Sequence, residues 1–363
     1  MIVRRETFIT LIWYFQAMKT NKIRIAVAGA GIIGVEHLER LHASPRCEIV
    51  AIVDPTDQSI ETAKTYQAPH FAELVPMLDA VQPDGVILAT PNQLHAEQAK
   101  YCLSRHIPVL IEKPLAHTLE EAERLYEYSL QFDCPALVGH HRSYSAIMAQ
   151  AKRLIDEGVI GTPVGILGSA LFYKPDRYYA EGPWRTQKGG GPVLLNLIHE
   201  IGNLRFLFGD IERVQAMASN RIRHFEVEDT CAITMQFKNG ALGTFLLSDT
   251  AASPKSWEQT AGENKSYAHY PEQDCYHVTG TKGSLSIPSM KIHRYDDQTD
   301  PSWWNNFQVE QKKLEEADPL LRQIDHFCDV IEGKATPVVS IRDGLENLKI
   351  VNEVMRESAN DLA

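Results

Sequence analysis

The chain has 363 residues, 44% of them hydrophobic and 23% charged, and a net charge of −11. That is room for two ordinary domains with the composition of a globular protein, and the negative balance speaks against a nucleic-acid partner, which needs a basic surface. The six cysteines (Cys47, Cys102, Cys134, Cys231, Cys275 and Cys328) form no C-x-x-C pair, so no zinc or redox motif is indicated and a reducing cytoplasm is expected.

In chain order, Arg4 and Arg5 come first, followed by an apolar run from Phe8 to Phe15 that mimics a signal peptide. The run is too short to span a bilayer, and Gln16-Ala17-Met18-Lys19 offers no small-residue cleavage site. Residues 1–20 read as an extension ahead of the fold, with Met18 as a candidate start. An arm exchanged with a partner subunit is the alternative. No membrane association is expected.

From Ile23 the run IRIAVA reads as a buried strand, and Gly29, Gly31 and Gly34 follow in the spacing G-x-G-x-x-G. The first glycine permits a tight turn, the second lets backbone approach a pyrophosphate, and the third lets the next helix pack on the strand. That helix runs to about His42, and its positive end faces the phosphates. A second strand, Glu48 to Val53, ends in Asp54, twenty residues past Gly34, where a carboxylate takes ribose hydroxyls. The pattern predicts a dinucleotide site, with NAD preferred to NADP because Asp54 repels a 2′-phosphate and Pro55, not arginine, follows it.

The alternation continues. Helices are expected over Gln58–Tyr66 and Leu74–Val81, a strand over Gly85–Ala89 ending at Thr90-Pro91-Asn92, and a helix from Leu94 and His95 to about Arg105. The strand Ile107–Ile111 closes on Glu112-Lys113-Pro114. Thr118 with Glu121 three residues later forms a capping box for a helix to about Phe132. The strand Ala136–Val138 ends at Gly139-His140-His141-Arg142. This rhythm gives a doubly wound parallel sheet over residues 21–142, with its polar motifs at the carboxyl ends of the strands, where such sheets bind ligands.

After a helix from Tyr144 to Glu157 the rhythm changes. Strands are expected over Val164–Tyr173, Val214–Arg221, Thr230–Phe237, Ala241–Ser248 and Cys275–Ile287, with Asn239-Gly240 as a hairpin turn. Residues 143–363 thus read as an α+β domain with a large, mostly antiparallel, open-faced sheet. Val214–Arg221 and Ala241–Ser248 alternate apolar residues on both sides, which predicts a homodimer or homotetramer through the open face. Gly189-Gly190-Gly191-Pro192 introduces an apolar helix, Val193–Phe208. The polar stretch Ala251–Pro271 is long enough to act as a lid. Two helices, Pro319–Glu332 and Ile341–Ser358, close the chain.

Two residues stand out as chemistry. Lys113 ends a strand beside the expected nicotinamide, where a lysine orients a hydroxyl or, with lowered pKa, assists proton transfer. His199 lies on the apolar helix in a stripe with Asn196 and Asn203, and a histidine titrating near neutrality suits removal of a hydroxyl proton. A hydrogen-bonded core histidine is the competing reading. His140 and His141 have no acidic partner in local sequence, so no metal is expected.

The motifs AGAGIIG (28–34), VDP (53–55), TPNQLH (90–95), EKP (112–114), GHHR (139–142), PWR (183–185) and GGGPVLLNLIHEI (189–201) occur together and in order. In them the chain resembles the glucose–fructose oxidoreductase, inositol dehydrogenase and rhizopine-catabolism family. The resemblance implies an NAD(P)-dependent dehydrogenase of sugars, cyclitols or related polyols, with Lys113 and His199 as the catalytic pair. It places the nucleotide against Gly29, Gly31, Ile32, Ile33, Gly34, Asp54, Thr90, Pro91, Asn92, His95, Glu112, Lys113, His141 and Arg142. Substrate is expected against Lys113, Tyr173, Trp184, Arg185, Asn196 and His199, with Tyr178 and the 251–271 loop nearby. Two family aspartates are replaced, by Leu195 four residues before His199 and by Gly202 three after it, so the proton relay differs here. An NAD-dependent glycosidase working by transient oxidation and a nucleotide sensor without turnover are the competing functions.

Overall fold

The structure is a computed structural model that describes residues 22–362 except 297 and 315. The readings of residues 1–20 lie outside the described residues.

The first sheet holds six parallel strands in the order β3-β2-β1-β4-β5-β6. They are β1 (Ile23–Ala28), β2 (Cys47–Val53), β3 (His70–Phe71), β4 (Gly85–Leu88), β5 (Val109–Glu112) and β6 (Ala136–Gly139). The short β3 escapes sequence reading because two residues carry no periodicity. The connecting helices are α1 (Ile32–Ala43), α2 (Asp57–Thr65), α3 (Leu74–Val81), α4 (His95–Leu103) and α5 (Leu119–Ser129). The capping box at Thr118 and Glu121 is present. The strand order reverses between β1 and β4, and the crevice beyond their carboxyl ends is where such sheets take a ligand.

After α6 (Ala146–Asp156) the chain builds the second sheet from β7 (Pro163–Leu171), then α7 (Asp176–Ala180), α8 (Ile198–Phe208), β8 (Ile211–Ser219), β9 (Thr230–Phe237) and β10 (Leu242–Ser248). The short α9 (Trp257–Thr260) interrupts the expected 251–271 loop. The stretch expected as one strand over Cys275–Ile287 is a hairpin, β11 (Tyr276–Gly280) and β12 (Gly283–Ile287), because Gly280 and Gly283 flank a turn. β13 (Lys291–Arg294) and β14 (Gln308–Gln311) extend the sheet beyond the sequence reading. The order is β14-β13-β12-β11-β7-β10-β9-β8, antiparallel except for β7 with β10.

One face of this sheet is covered by α8 and α11 (Ile341–Glu357); the other is open, and Leu167, Leu242, Leu246, Met217 and Val309 are exposed. β10 carries apolar residues to both faces as expected, but β8 does not: of its outward residues Arg213, Gln215, Met217 and Ser219, only the methionine is apolar. The helix α10 (Pro319–Ile331), read with the second domain, packs on the first sheet. Its Ile324, Phe327, Cys328 and Val330 share a core with Ile23, Ile25, Ile87 and Leu137. Val339 and Ser340 then add a short bridge beside β6. An amphipathic helix buries its stripe wherever an apolar face is unpaired, whatever its distance along the chain.

Candidate active site

The glycine turn has the geometry its sequence requires. Gly29 sits at φ +94°, in the left-handed region, and a Cβ there would lie 2.3 Å from the Ala89 carbonyl oxygen. A Cβ on Gly34 would lie 2.0 Å from the Gly29 carbonyl oxygen, so only glycine lets α1 approach β1 this closely. Gly31 faces open space, and Ile32 beside it is 85% exposed. The first N–H groups of α1 therefore open onto a cradle suited to a pyrophosphate. Asp54 accepts from the Ala30 N–H at 2.9 Å and from the N–H and hydroxyl of Thr56 at 2.9 and 2.6 Å. Burial opposes its charge, but these donors hold its carboxyl below the ordinary aspartate range. A charged carboxylate here has lone pairs left for a ribose diol.

Other expected nucleotide residues also make contacts within the protein. His95 is buried, with ring nitrogens 2.8 Å from the carbonyl oxygens of Pro114 and Thr90, and so ties the β4 and β5 ends together. Thr90 donates its hydroxyl to Gln98 at 2.6 Å. Pro91 and Asn92 begin the turn into α4. Glu112 is buried 2.8 Å from His37 on α1 and accepts from the Lys113 N–H at 3.2 Å. Burial works against its ionisation, and His37 holds its pKa down. Arg142 is buried and reaches Glu200 and Glu258 at 2.6 Å each. Both bonds commit it to the domain junction: α8 on one side, the 251–271 loop on the other.

Lys113 and His199 come from opposite domains. Burial draws the Lys113 amine below the ordinary lysine range, with Glu112 opposing. His199 is 9% exposed, and its Nδ1 is buried without a hydrogen-bond partner. Its ring lies edge-on to His141 at 5.5 Å and to His140 at 6.3 Å. Burial pushes its pKa well below that of a free imidazole, and among neighbouring charges Lys113 acts most strongly. The near-neutral titration expected from sequence is thus corrected: in this environment His199 is neutral at pH 7. His141 and His140 are neutral too, held by burial to about 4 and about 3.

The helix carrying His199 begins as a π-type segment over Val193–Leu197, capped where the Glu228 carboxylate accepts from the Val193 N–H at 2.7 Å. The wider turn breaks the phase assumed for the polar stripe. Asn196 accepts from Lys174 Nζ at 2.7 Å instead of meeting His199, and Asn203 donates to the Tyr276 hydroxyl at 2.9 Å in the core. Gly202 lies against His140: a Cβ there would stand 3.1 Å from its Nδ1, so a larger residue would require the ring to shift. His140 Nε2 in turn accepts from the Asn347 amide at 3.2 Å.

Of the expected substrate residues, Arg185 stacks on Tyr178 at 3.9 Å and lies 5.5 Å from the Trp184 ring. Tyr173 lines a cavity of about 350 Å³ with Asp176, Tyr179, Ile222, Arg223, Phe225 and Thr250. Sequence reading missed Lys174, which is 13% exposed and whose pKa burial lowers to about 8. A lysine at the apolar end of β7, in ALFYKP, was the available signal. It also missed Glu258, whose position depends on the loop.

A Rossmann sheet with a glycine turn and a charged carboxylate at its crevice, joined to a second domain whose helix α8 carries a buried histidine, is the architecture of an NAD(P)-binding oxidoreductase. Residues 23–140 match the model described as "Oxidoreductase family, NAD-binding Rossmann fold", and residues 148–286 match "GFO/IDH/MocA C-terminal domain". The chain belongs to the Gfo/Idh/MocA family of oxidoreductases. It is 24% identical to the myo-inositol 2-dehydrogenase of Thermotoga maritima over 89% of this chain and 92% of that protein. It is 24% identical to the 2,7-anhydro-N-acetylneuraminate hydratase of Escherichia coli over 73% of this chain and 67% of that one. An oxidoreductase from Agrobacterium radiobacter, solved with NAD+, L-tartaric acid and magnesium, superposes with a TM-score of 0.78 at 17% identity, covering 93% of this chain and 97% of that one. No described helix is long and apolar enough to cross a membrane.

Proposed function

We propose that the chain is an NAD-dependent dehydrogenase that oxidises a secondary alcohol of a sugar, cyclitol or related polyol, or catalyses the reverse reduction. The observation that carries this is buried His199, whose Nδ1 has no hydrogen-bond partner and whose pKa is lowered by the Lys113 charge from the opposite domain. Gly29, Gly31, Ile32, Ile33 and Gly34 would hold the pyrophosphate and Asp54 the ribose. Bound there, nicotinamide supplies the hydride acceptor. The protein moves the proton: neutral His199 takes it from the hydroxyl, and Lys113 donates a hydrogen bond to the same oxygen as it becomes a carbonyl. The exposed leucines of the open sheet face support a homodimer or homotetramer.

Fluorescence titration tests the nucleotide: NADH should bind at least tenfold more tightly than NADPH, and Asp54→Ser should narrow the gap. Tighter NADPH binding would overturn the NAD assignment. Incubation with NAD and a polyol panel, followed at 340 nm, tests the reaction. The hydratase relative supports a second reading, transient oxidation followed by elimination or hydrolysis. In that case substrate disappears without net NADH; binding without any turnover would mark a sensor.

A further inference from the structure

Lys174 and Arg185 share one aromatic support. Lys174 Nζ lies 4.9 Å from the Tyr178 ring centroid and the Arg185 guanidinium 3.9 Å from the same ring. Lys174 donates to Asn196, three residues before His199 in the chain, which ties the pair to the segment that carries the histidine. The nearby carboxylates are shared with other groups, although Glu258 Oε2 is buried without a partner. Glu258 binds Arg142, and Asp249 accepts from Arg223 Nε at 3.0 Å and from the Tyr179 hydroxyl, leaving Lys174 a contact of 3.9 Å. Among the described residues no carboxylate pairs with Arg185; one of its N–H groups donates to the Tyr178 carbonyl. A buried ammonium keeps three donors, and the Asn196 bond takes one of them. In a chain of net charge −11, this places two incompletely neutralised cations at the substrate end of the crevice.

We propose that the substrate carries a carboxylate, bound by Lys174 and Arg185 while Lys113 and His199 address the hydroxyl. The inference rests on the dehydrogenase reading above and narrows its substrate class. Asn196 stands in the π-type segment just ahead of His199, which suits a carboxylate several carbons from the reacting carbon, as in a uronic or aldonic acid. A guanidinium offers the carboxylate a planar fork and the lysine a point charge, while Asn196 fixes the lysine's direction.

The test uses the full chain loaded with NADH. D-glucuronate, D-galacturonate and D-gluconate are titrated against D-glucose, D-galactose and myo-inositol by calorimetry. At least one acid should bind tenfold or more tightly than its neutral counterpart. Lys174→Met and Arg185→Met should each lower that acid's affinity at least tenfold, with NADH affinity within twofold of wild type. Lys174→Arg should restore part of the loss. Arg185, partly exposed on a loop, keeps the test decisive if Lys174→Met fails to fold. Neutral probes binding as well as the acids, acids failing to bind, or an acid preference that survives both methionine variants would overturn the proposal. NADH failing to bind would overturn the parent reading and this one with it; NADH bound with neutral polyols preferred overturns this one alone.

Discussion

Replacing Arg142 with methionine should cost about 3–5 kcal/mol of folding stability at pH 8. The side chain is 6% exposed and its two carboxylate partners are unequal: Glu200 is 2% exposed, Glu258 21%. Glu258 can turn toward water, but Glu200, whose other oxygen accepts from Tyr276, stays buried with its charge uncompensated. Burial already raises the Glu200 pKa above 4.5 with Arg142 present. A carboxyl raised in the folded state costs stability as pH climbs from its unfolded value through its folded one. Removing Arg142 raises that folded pKa further. The deficit of the variant should therefore be full at pH 8 and shrink as pH falls toward about 4.5. Urea denaturation at several pH values measures it, and adding Glu200→Gln to the variant should recover part of the loss. Under native conditions NADH affinity should stay within twofold. A cost under about 1 kcal/mol, or one that does not vary with pH, would refute the buried-charge argument, and a tenfold loss of NADH affinity would return Arg142 to the nucleotide site.

Lys113→Met and His199→Ala should each lower turnover by roughly 10²–10⁴ with NADH binding within a few-fold, and their losses should be less than additive. Because burial keeps His199 neutral, His199→Ala should scale the rate profile down between about pH 6 and 8 without moving its midpoint; a midpoint shift in stopped-flow rates would contradict this. Sedimentation at micromolar concentration should show an oligomer that Leu167→Glu with Leu246→Lys dissociates, and a monomeric wild type would refute the open-face interface.

The nucleotide half of the protein was legible because its information is local. A strand, three glycines and Asp54 lie within 32 residues, and each glycine answers a steric demand of the same turn. The alternation of strands and helices likewise carries the doubly wound order, since short right-handed crossovers leave few alternatives. The second sheet was legible in kind but not in extent, because β13 and β14 are short and largely polar. What only the tertiary structure decided are the pairings between distant segments. α10 returns to the first sheet across almost three hundred residues because its apolar stripe completes a core that β1 and β4 leave open. Arg142, Glu200 and Glu258 meet only where the two domains and the loop converge, and burial there ties a motif arginine to two carboxylates. The π-type turn at Val193–Leu197 takes Asn196 away from His199 and gives it to Lys174, and His140 fills the space before Gly202. Sequence spacing assumes a uniform helix and carries no burial; the charge state of His199 and the direction of Lys174 depend on both.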